Sequence, residues 1–186
     1  MKWVIRILTG LIGLILLAIA ALWLFGMRPS HGHILAEVQI DRSAPQVFRW
    51  LTDDDLVKKW VSGLVEIKTI SAPADGSQVG RKLQIGEVYK GERVDMEMTV
   101  TRLEQNRALS LSIASLGDPN NGFTETDDYT LAKVNGKTRL RFEVHTKYLG
   151  FLPRLFEPFI TPEATKKLTE DLQRLKQLVE AEPKTS

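Results

Sequence analysis

Thr161-Pro162-Glu163-Ala164-Thr165-Lys166-Lys167-Leu168-Thr169-Glu170-Asp171-Leu172-Gln173-Arg174-Leu175-Lys176-Gln177-Leu178-Val179-Glu180 is the stretch whose reading decides the fold. Thr161 suits an N-cap, Pro162 suits a first helical position whose N–H has no partner anyway, and Glu163 places negative charge at the positive end of the helix dipole. Ala164, Leu168, Leu172, Leu175 and Val179 then recur at helical spacing, while Lys166, Lys167, Glu170, Asp171, Arg174 and Lys176 fill most other positions. One stripe is therefore expected to be buried and the rest wet. A single amphipathic helix cannot hide such a stripe alone, so it needs a concave partner, and the chain before it reads largely as strands. The expectation is an α+β domain in which a curved antiparallel sheet wraps around a long C-terminal helix.

Working outward, residues 34–40 alternate, with Ile34, Ala36, Val38 and Ile40 on one side and Leu35, Glu37 and Gln39 on the other, as in a half-buried strand. Ser43 can cap a helix over residues 44–51, and a second short helix over 53–60 has acids at its start and lysines at its end. Asp53, Asp54 and Asp55 read as caps and solvated charge rather than as a metal site. From Gly63 the pattern is strand and turn: 64–70, a hairpin of 81–89 and 92–103 about Lys90-Gly91, 108–116, then a hairpin of 123–133 and 137–148 about Asn135-Gly136. That makes seven strands in all. Residues 149–160 hold Phe151, Leu152, Leu155, Phe156, Phe159 and Ile160, and Pro153 and Pro158 predict a broken lid or elbow that closes the core or meets lipid or ligand.

At the other end, residues 7–25 carry no charge and are flanked by Lys2, Arg6 and Arg28. At ~1.5 Å per helical residue they reach the ~30 Å hydrocarbon core of a bilayer. Trp3, Trp23 and Phe25 lie where interfacial aromatics belong. Ala18-Ile19-Ala20 offers a signal-peptidase pattern, but the apolar run continues past it, so residues 1–28 are read as an uncleaved transmembrane anchor. Charge around the run favours its N-terminal end in the cytoplasm and the domain outside. Residues 29–33 form a linker, in which His31 and His33 read as solvated rather than metal-binding, and the domain proper spans 34–182, followed by a disordered tail at 183–186.

The chain has 186 residues, 43% hydrophobic and 26% charged, which allows one domain with a real core plus an appendage. Removing Lys2, Arg6 and Arg28 from the 25 basic residues leaves 22 against 23 acidic ones, a balance that argues against a nucleic-acid footprint. With no cysteine, disulfides, thiolate nucleophiles and cysteine-held metals are excluded.

Strand, two small helices, six strands and a long helix is the helix-grip order. Ile40-Asp41-Arg42-Ser43-Ala44-Pro45-Gln46-Val47-Phe48, Leu51-Thr52-Asp53 and Trp60 resemble the opening of the SRPBCC or START-like superfamily in its polyketide cyclase/dehydrase-like branch, and Asn135-Gly136-Lys137-Thr138-Arg139-Leu140 is similar to a later turn and strand there. The resemblance implies the fold over residues 34–182. It implies no catalytic residue, because relatives with this backbone range from lipid carriers to cyclases.

No nucleophile elbow, zinc-protease helix or phosphate loop is present. By strand parity His145 faces outward. Glu87 shares parity with Leu83, Ile85 and Tyr89 and is the weak catalytic candidate, unless Gly86 marks a bulge that reverses it. Binding is the simpler use of the architecture, without metal or cofactor. The expected function is a membrane-anchored binder of a hydrophobic small molecule (lipid, quinone or isoprenoid), with a cyclase/dehydratase-type enzyme or an interaction module at the membrane as alternatives. The expected contacts are Trp60, Leu83, Ile85, Tyr89, Met96 and Met98, then Leu111, Ile113, Tyr129 and Phe142, and finally Phe156, Phe159, Leu168 and Leu172 from the C-terminal segment.

Overall fold

In the computed structural model, which describes every residue except Met1, His31, Pro119, Thr185 and Ser186, the N-terminal apolar run is helix α1 (Lys2–Gly26). β1 (Gly32–Ile40) follows, and its alternating burial puts Ile34, Ala36, Val38 and Ile40 inside. The chain then makes α2 (Ala44–Thr52) and α3 (Asp54–Trp60) before β2 (Leu64–Ser71), β3 (Lys82–Tyr89), β4 (Glu92–Glu104), β5 (Ala108–Ser115), β6 (Phe123–Val134), β7 (Lys137–Tyr148) and α4 (Phe151–Ala181). The strands form one antiparallel sheet in the order β1-β7-β6-β5-β4-β3-β2. Every neighbour is sequential except β1, which pairs with β7.

The local chemistry accounts for these elements. Lys90 (φ 50°) and Gly91 (φ 85°), like Asn135 (φ 50°) and Gly136 (φ 77°), supply the two positive φ values of a tight hairpin turn. Asp53 caps α3 by accepting from the N–H groups of Asp55 and Leu56 at 3.0 and 3.2 Å, and Asp54 ion-pairs with Arg81. Ser43 precedes α2, and its N–H donates to Gln46 Oε1 at 3.4 Å in a capping box. Arg42 and Gln46, which carried the family resemblance, serve the far end of the molecule: Arg42 donates to the carbonyls of Glu180 and Glu182, and Gln46 Nε2 to the carbonyl of Pro183 at 2.9 Å. These bonds satisfy the orphan carbonyls at the end of α4 and fasten it to the α2 corner. Of the tail at 183–186, expected to be disordered, Pro183 is thus held and Lys184 pairs with Asp41 at 2.8 Å; Thr185 and Ser186 lie outside the described residues.

Two expectations are corrected. Thr161 is not an N-cap, and residues 149–160 are not a broken elbow: α4 starts at Phe151 and runs for 31 residues with Pro158 and Pro162 inside it. Pro153 falls in the first turn, where its missing N–H has no helical partner to lose. Pro158 and Pro162 lie on an exposed face, where water can reach the carbonyls they leave unbonded. His33, expected in the linker, belongs to β1, opposite His145 of β7; His31 lies outside the described residues.

The core is filled at one end and hollow at the other. Ile40, Val47, Leu140, Leu175 and Val179 are completely buried where the last half of α4 meets β1, β7 and α2. The middle of α4, from Ala164 to Asp171, stands over the inner face of the sheet, with Ala164, Lys167 and Leu168 only half-buried beneath it.

Candidate ligand-binding cavity

Between that middle stretch of α4, α3 and the sheet lies a cavity of about 590 Å³. Its walls come from period-two alternation along the strands: Leu83, Ile85 and Glu87 on β3, Met96, Met98 and Val100 on β4, Leu109, Leu111 and Ile113 on β5, Glu125, Asp127 and Tyr129 on β6, and Phe142 and Val144 on β7. Trp60 closes one side, fixed by a hydrogen bond from its Nε1 to the carbonyl of Trp50 at 3.0 Å. Tyr129 stacks on Phe142 with ring centres 4.0 Å apart. From α4 come Ala164, Lys167, Leu168 and Asp171.

Most of the sequence-derived contacts therefore face the same space: Trp60, Leu83, Ile85, Met96, Met98, Leu111, Ile113, Tyr129, Phe142 and Leu168. Four do not. Tyr89, at the end of β3, lies beyond the cavity, exposed, and donates its hydroxyl to Glu163 of α4 at 2.8 Å. Phe156 and Phe159 are 52% and 72% exposed, because the continuous helix fixes its phase so that Glu157, Thr161, Ala164 and Leu168 face inward. Leu172 is 1% exposed and packs in the filled part of the core. Glu87 keeps the inward parity, since β3 and β4 run in unbroken register through Gly86 and Asp95.

The polar part of the wall was read less well from sequence. Lys167 and Asp171, placed on the wet face of the helix, flank the apolar stripe and reach inward: Lys167 Nζ is 3.1 Å from Glu87 Oε1 and 3.1 Å from Asp171 Oδ2. Asp171 also accepts from the N–H of Ser62 at 3.1 Å, which ties α4 to the chain leaving α3. Burial pulls the Lys167 ammonium down, but the carboxylates of Glu87 and Asp171 outweigh it and hold it above the ordinary lysine value. Glu125 and Asp127 were not singled out, although Tyr129 shares their parity and already pointed inward. Burial pushes both carboxyls up, Asp127 well above its usual range, where the neighbouring Glu125 adds to the shift, while the Thr146 hydroxyl and Asp127 partly offset the rise at Glu125. Burial, followed by the Asp127, Glu125 and Asp171 carboxyls, also pushes the Tyr129 phenol up. A second polar group, Asp54 and Arg81 with Gln78 and Gln105, also borders the cavity. It is six residues from Glu87 along β3, ~20 Å at ~3.3 Å per strand residue.

On the outer face of the sheet His33 stacks on His145 with ring centres 4.7 Å apart, and Glu143 Oε1 is 2.9 Å from His33 Nε2 and 3.5 Å from His145 Nε2. This group is remote from the cavity by strand parity, and His145 is exposed as expected.

A curved sheet gripping a helix over an apolar hollow defines the helix-grip class of cavity proteins. Within that class the chain belongs to the family described as "Polyketide cyclase / dehydrase and lipid transport", which matches residues 31–180. No curated protein matches the chain. Among solved structures it is similar to Ara h 8.0201 (13% identity, 82% of this chain and 100% of that one, TM-score 0.65). It is also similar to protein MLL2253 from Mesorhizobium loti (23%, 81% and 98%, TM-score 0.61) and to the Aha1 dimer from Colwellia psychrerythraea (23%, 80% and 96%, TM-score 0.56). At these identities the likeness is one of fold.

Proposed function

We propose that the domain binds an apolar small molecule, of lipid, quinone or isoprenoid type, between the sheet and the middle of α4, and that α1 anchors it in a bilayer from which such a molecule partitions. The observation that carries this reading is the cavity: about 590 Å³ of space walled mainly by aliphatic, methionine and aromatic side chains in a domain whose other end is fully packed. Hollow apolar volume forfeits dispersion contacts that a ligand restores, so an unfilled core of this size is costly unless something occupies it. Family membership supports the same reading, since lipid transport is among the activities its description covers.

Three features support the membrane side. α1 is long and apolar enough to span a bilayer and is uncovered by the rest of the protein. Gly26, at its end, lies so close to the Phe151 ring that an added Cβ would clash with it, and Arg28 bonds Glu157 at 3.3 Å, so α1 meets the start of α4. Leu152, Phe156, Phe159 and Ile160 are exposed there, where burial in a lipid interface would remove their contact with water. The charge asymmetry around α1 supports an extracytoplasmic position for the domain. Glu87, the acid that cyclase or dehydratase chemistry was expected to use, is held by Lys167 and is a poor candidate.

The test is lipid extraction from the full chain purified in native membrane discs, followed by mass spectrometry. The expected result is one apolar species in about one-to-one ratio to protein, depleted in a Met98→Trp variant that fills the hollow. A chain that carries only bulk membrane lipid, in the same proportions as the variant, overturns the reading.

A further inference from the structure

Four carboxyls converge on one wall of the cavity: Glu87 from β3, Glu125 and Asp127 from β6, and Asp171 from α4. Lys167 divides its ammonium between Glu87 and Asp171, at 3.1 Å each, and Arg174 stands 3.6 Å from Asp171. That leaves Glu125 and Asp127 with no cation at ion-pairing distance among the described residues. Glu125 accepts from the Thr146 hydroxyl at 2.6 Å. Asp127 is 6% exposed and its Oδ1, wholly buried, receives no hydrogen bond. Its cross-strand neighbours are Leu111 and Val144, which offer it nothing polar from their side chains. A buried carboxyl without a donor is expensive, and two adjacent ones more so.

We infer that Glu125 and Asp127 form a cation-recognition subsite, and that the molecule held in the cavity is an apolar amine whose ammonium group docks against Asp127 while its hydrocarbon body lies along Met96, Met98 and Ile113. The inference rests on the reading of the cavity as a host for an apolar ligand, and specifies that ligand's polar end. In the empty site burial, reinforced by the neighbouring Glu125, favours the protonated form of Asp127. An ammonium brings the missing counter-charge, the retained proton leaves to solvent, and both carboxylates become acceptors for the ligand's N–H groups. The other titratable groups around the pair are Glu87 on β3, Asp128 and Tyr129 on β6, Tyr148 on β7, and Glu157, Lys167 and Asp171 on α4. Lys167 is the one cation in that set, and its own two partners already engage it. An alcohol of the same shape gains a hydrogen bond but no charge pairing, and a carboxylate meets like charge.

The experiment is isothermal titration of the full chain in phosphatidylcholine discs at pH 7, with empty discs as blank, using 4-phenylbutylamine, 4-phenylbutanol and 4-phenylbutyrate. The amine is expected to bind about ten-fold tighter than the alcohol, as charge-assisted pairing in a dry site allows, and the acid more weakly than either. Repeating the amine titration in buffers of different ionisation enthalpy should show a proton released. Asp127→Asn should abolish the amine's advantage over the alcohol; should that variant not fold, Glu125→Gln and the proton release in the unaltered chain decide. An alcohol that binds as tightly as the amine, or an amine advantage that survives both substitutions, overturns the subsite and leaves the host reading standing. No binding by any of the three overturns both.

Discussion

Asp127 shows how much one residue can reveal about what a fold is for. Placed between Leu111 and Val144, a leucine there would cost nothing in desolvation, so a buried carboxyl is a standing penalty in the empty protein. The sign of its pH dependence follows from its raised pKa, caused first by burial and then by Glu125. In the unfolded chain an aspartate ionises near ~4. The folded form keeps its proton to higher pH, so across that window unfolding releases a proton and stability falls as pH rises; below ~4 both states are protonated and the effect vanishes. Asp127→Asn should therefore stabilise the ligand-free domain at pH 7 by about 1 kcal/mol, the order of an unsatisfied buried polar group, and by little at pH 4. Thermal unfolding of both forms at the two pH values checks this; a variant less stable at pH 7 than at pH 4, relative to the parent, would contradict it.

At the scale of elements, α4 has two different halves. Leu175 packs at 0% exposure into the filled end, whereas Leu168 already borders open space. Leu175→Ala should cost about 2–5 kcal/mol and Leu168→Ala should fall at or below the bottom of that range, because a side chain beside a void has fewer contacts to lose. Urea unfolding of the pair measures the difference, and equal losses would mean the cavity wall is as tightly packed as the core. The same helix shows where sequence reading stops. Alternation in the strands and the turns at Lys90-Gly91 and Asn135-Gly136 were legible because two-residue periodicity and positive φ are local properties. The start of α4 was not: Pro153 and Pro158 normally end helices, and whether they do here depends on first-turn position and solvent access, which only the assembled molecule defines. Glu125 and Asp127 were missed for a related reason. Acidic residues on a strand usually face water, yet their shared parity with Tyr129 was already in the sequence. Tyr89 failed in the opposite direction, since parity holds only while the strand stays over the cavity.

For the whole molecule, the proposed function needs α1 as an anchor, and α4 is the element that both meets α1 at its start and lines the hollow farther along. α1 touches the domain at Gly26 and Phe151 and through Arg28 and Glu157, which favours one relative placement over free swinging on a tether. If α1 spans a bilayer, the full chain should stay with membranes after carbonate washing and its intact mass should retain residues 1–28. Leu14→Lys with Leu17→Lys should release it, since two central charges cost about 2.5–3.5 kcal/mol each on insertion scales. A soluble chain that begins near residue 21 would instead mean a cleaved leader.

The proposed function depends on the space under the middle of α4 accepting an apolar guest. Titration of the disc-embedded chain with Nile red, an uncharged apolar fluorophore, against the same chain with Met98→Trp tests that most directly. The account predicts saturable, one-to-one, blue-shifted binding by the parent that the tryptophan blocks while the fold, followed by circular dichroism, is kept. Binding of equal strength in both, or none beyond that of empty discs, would contradict it.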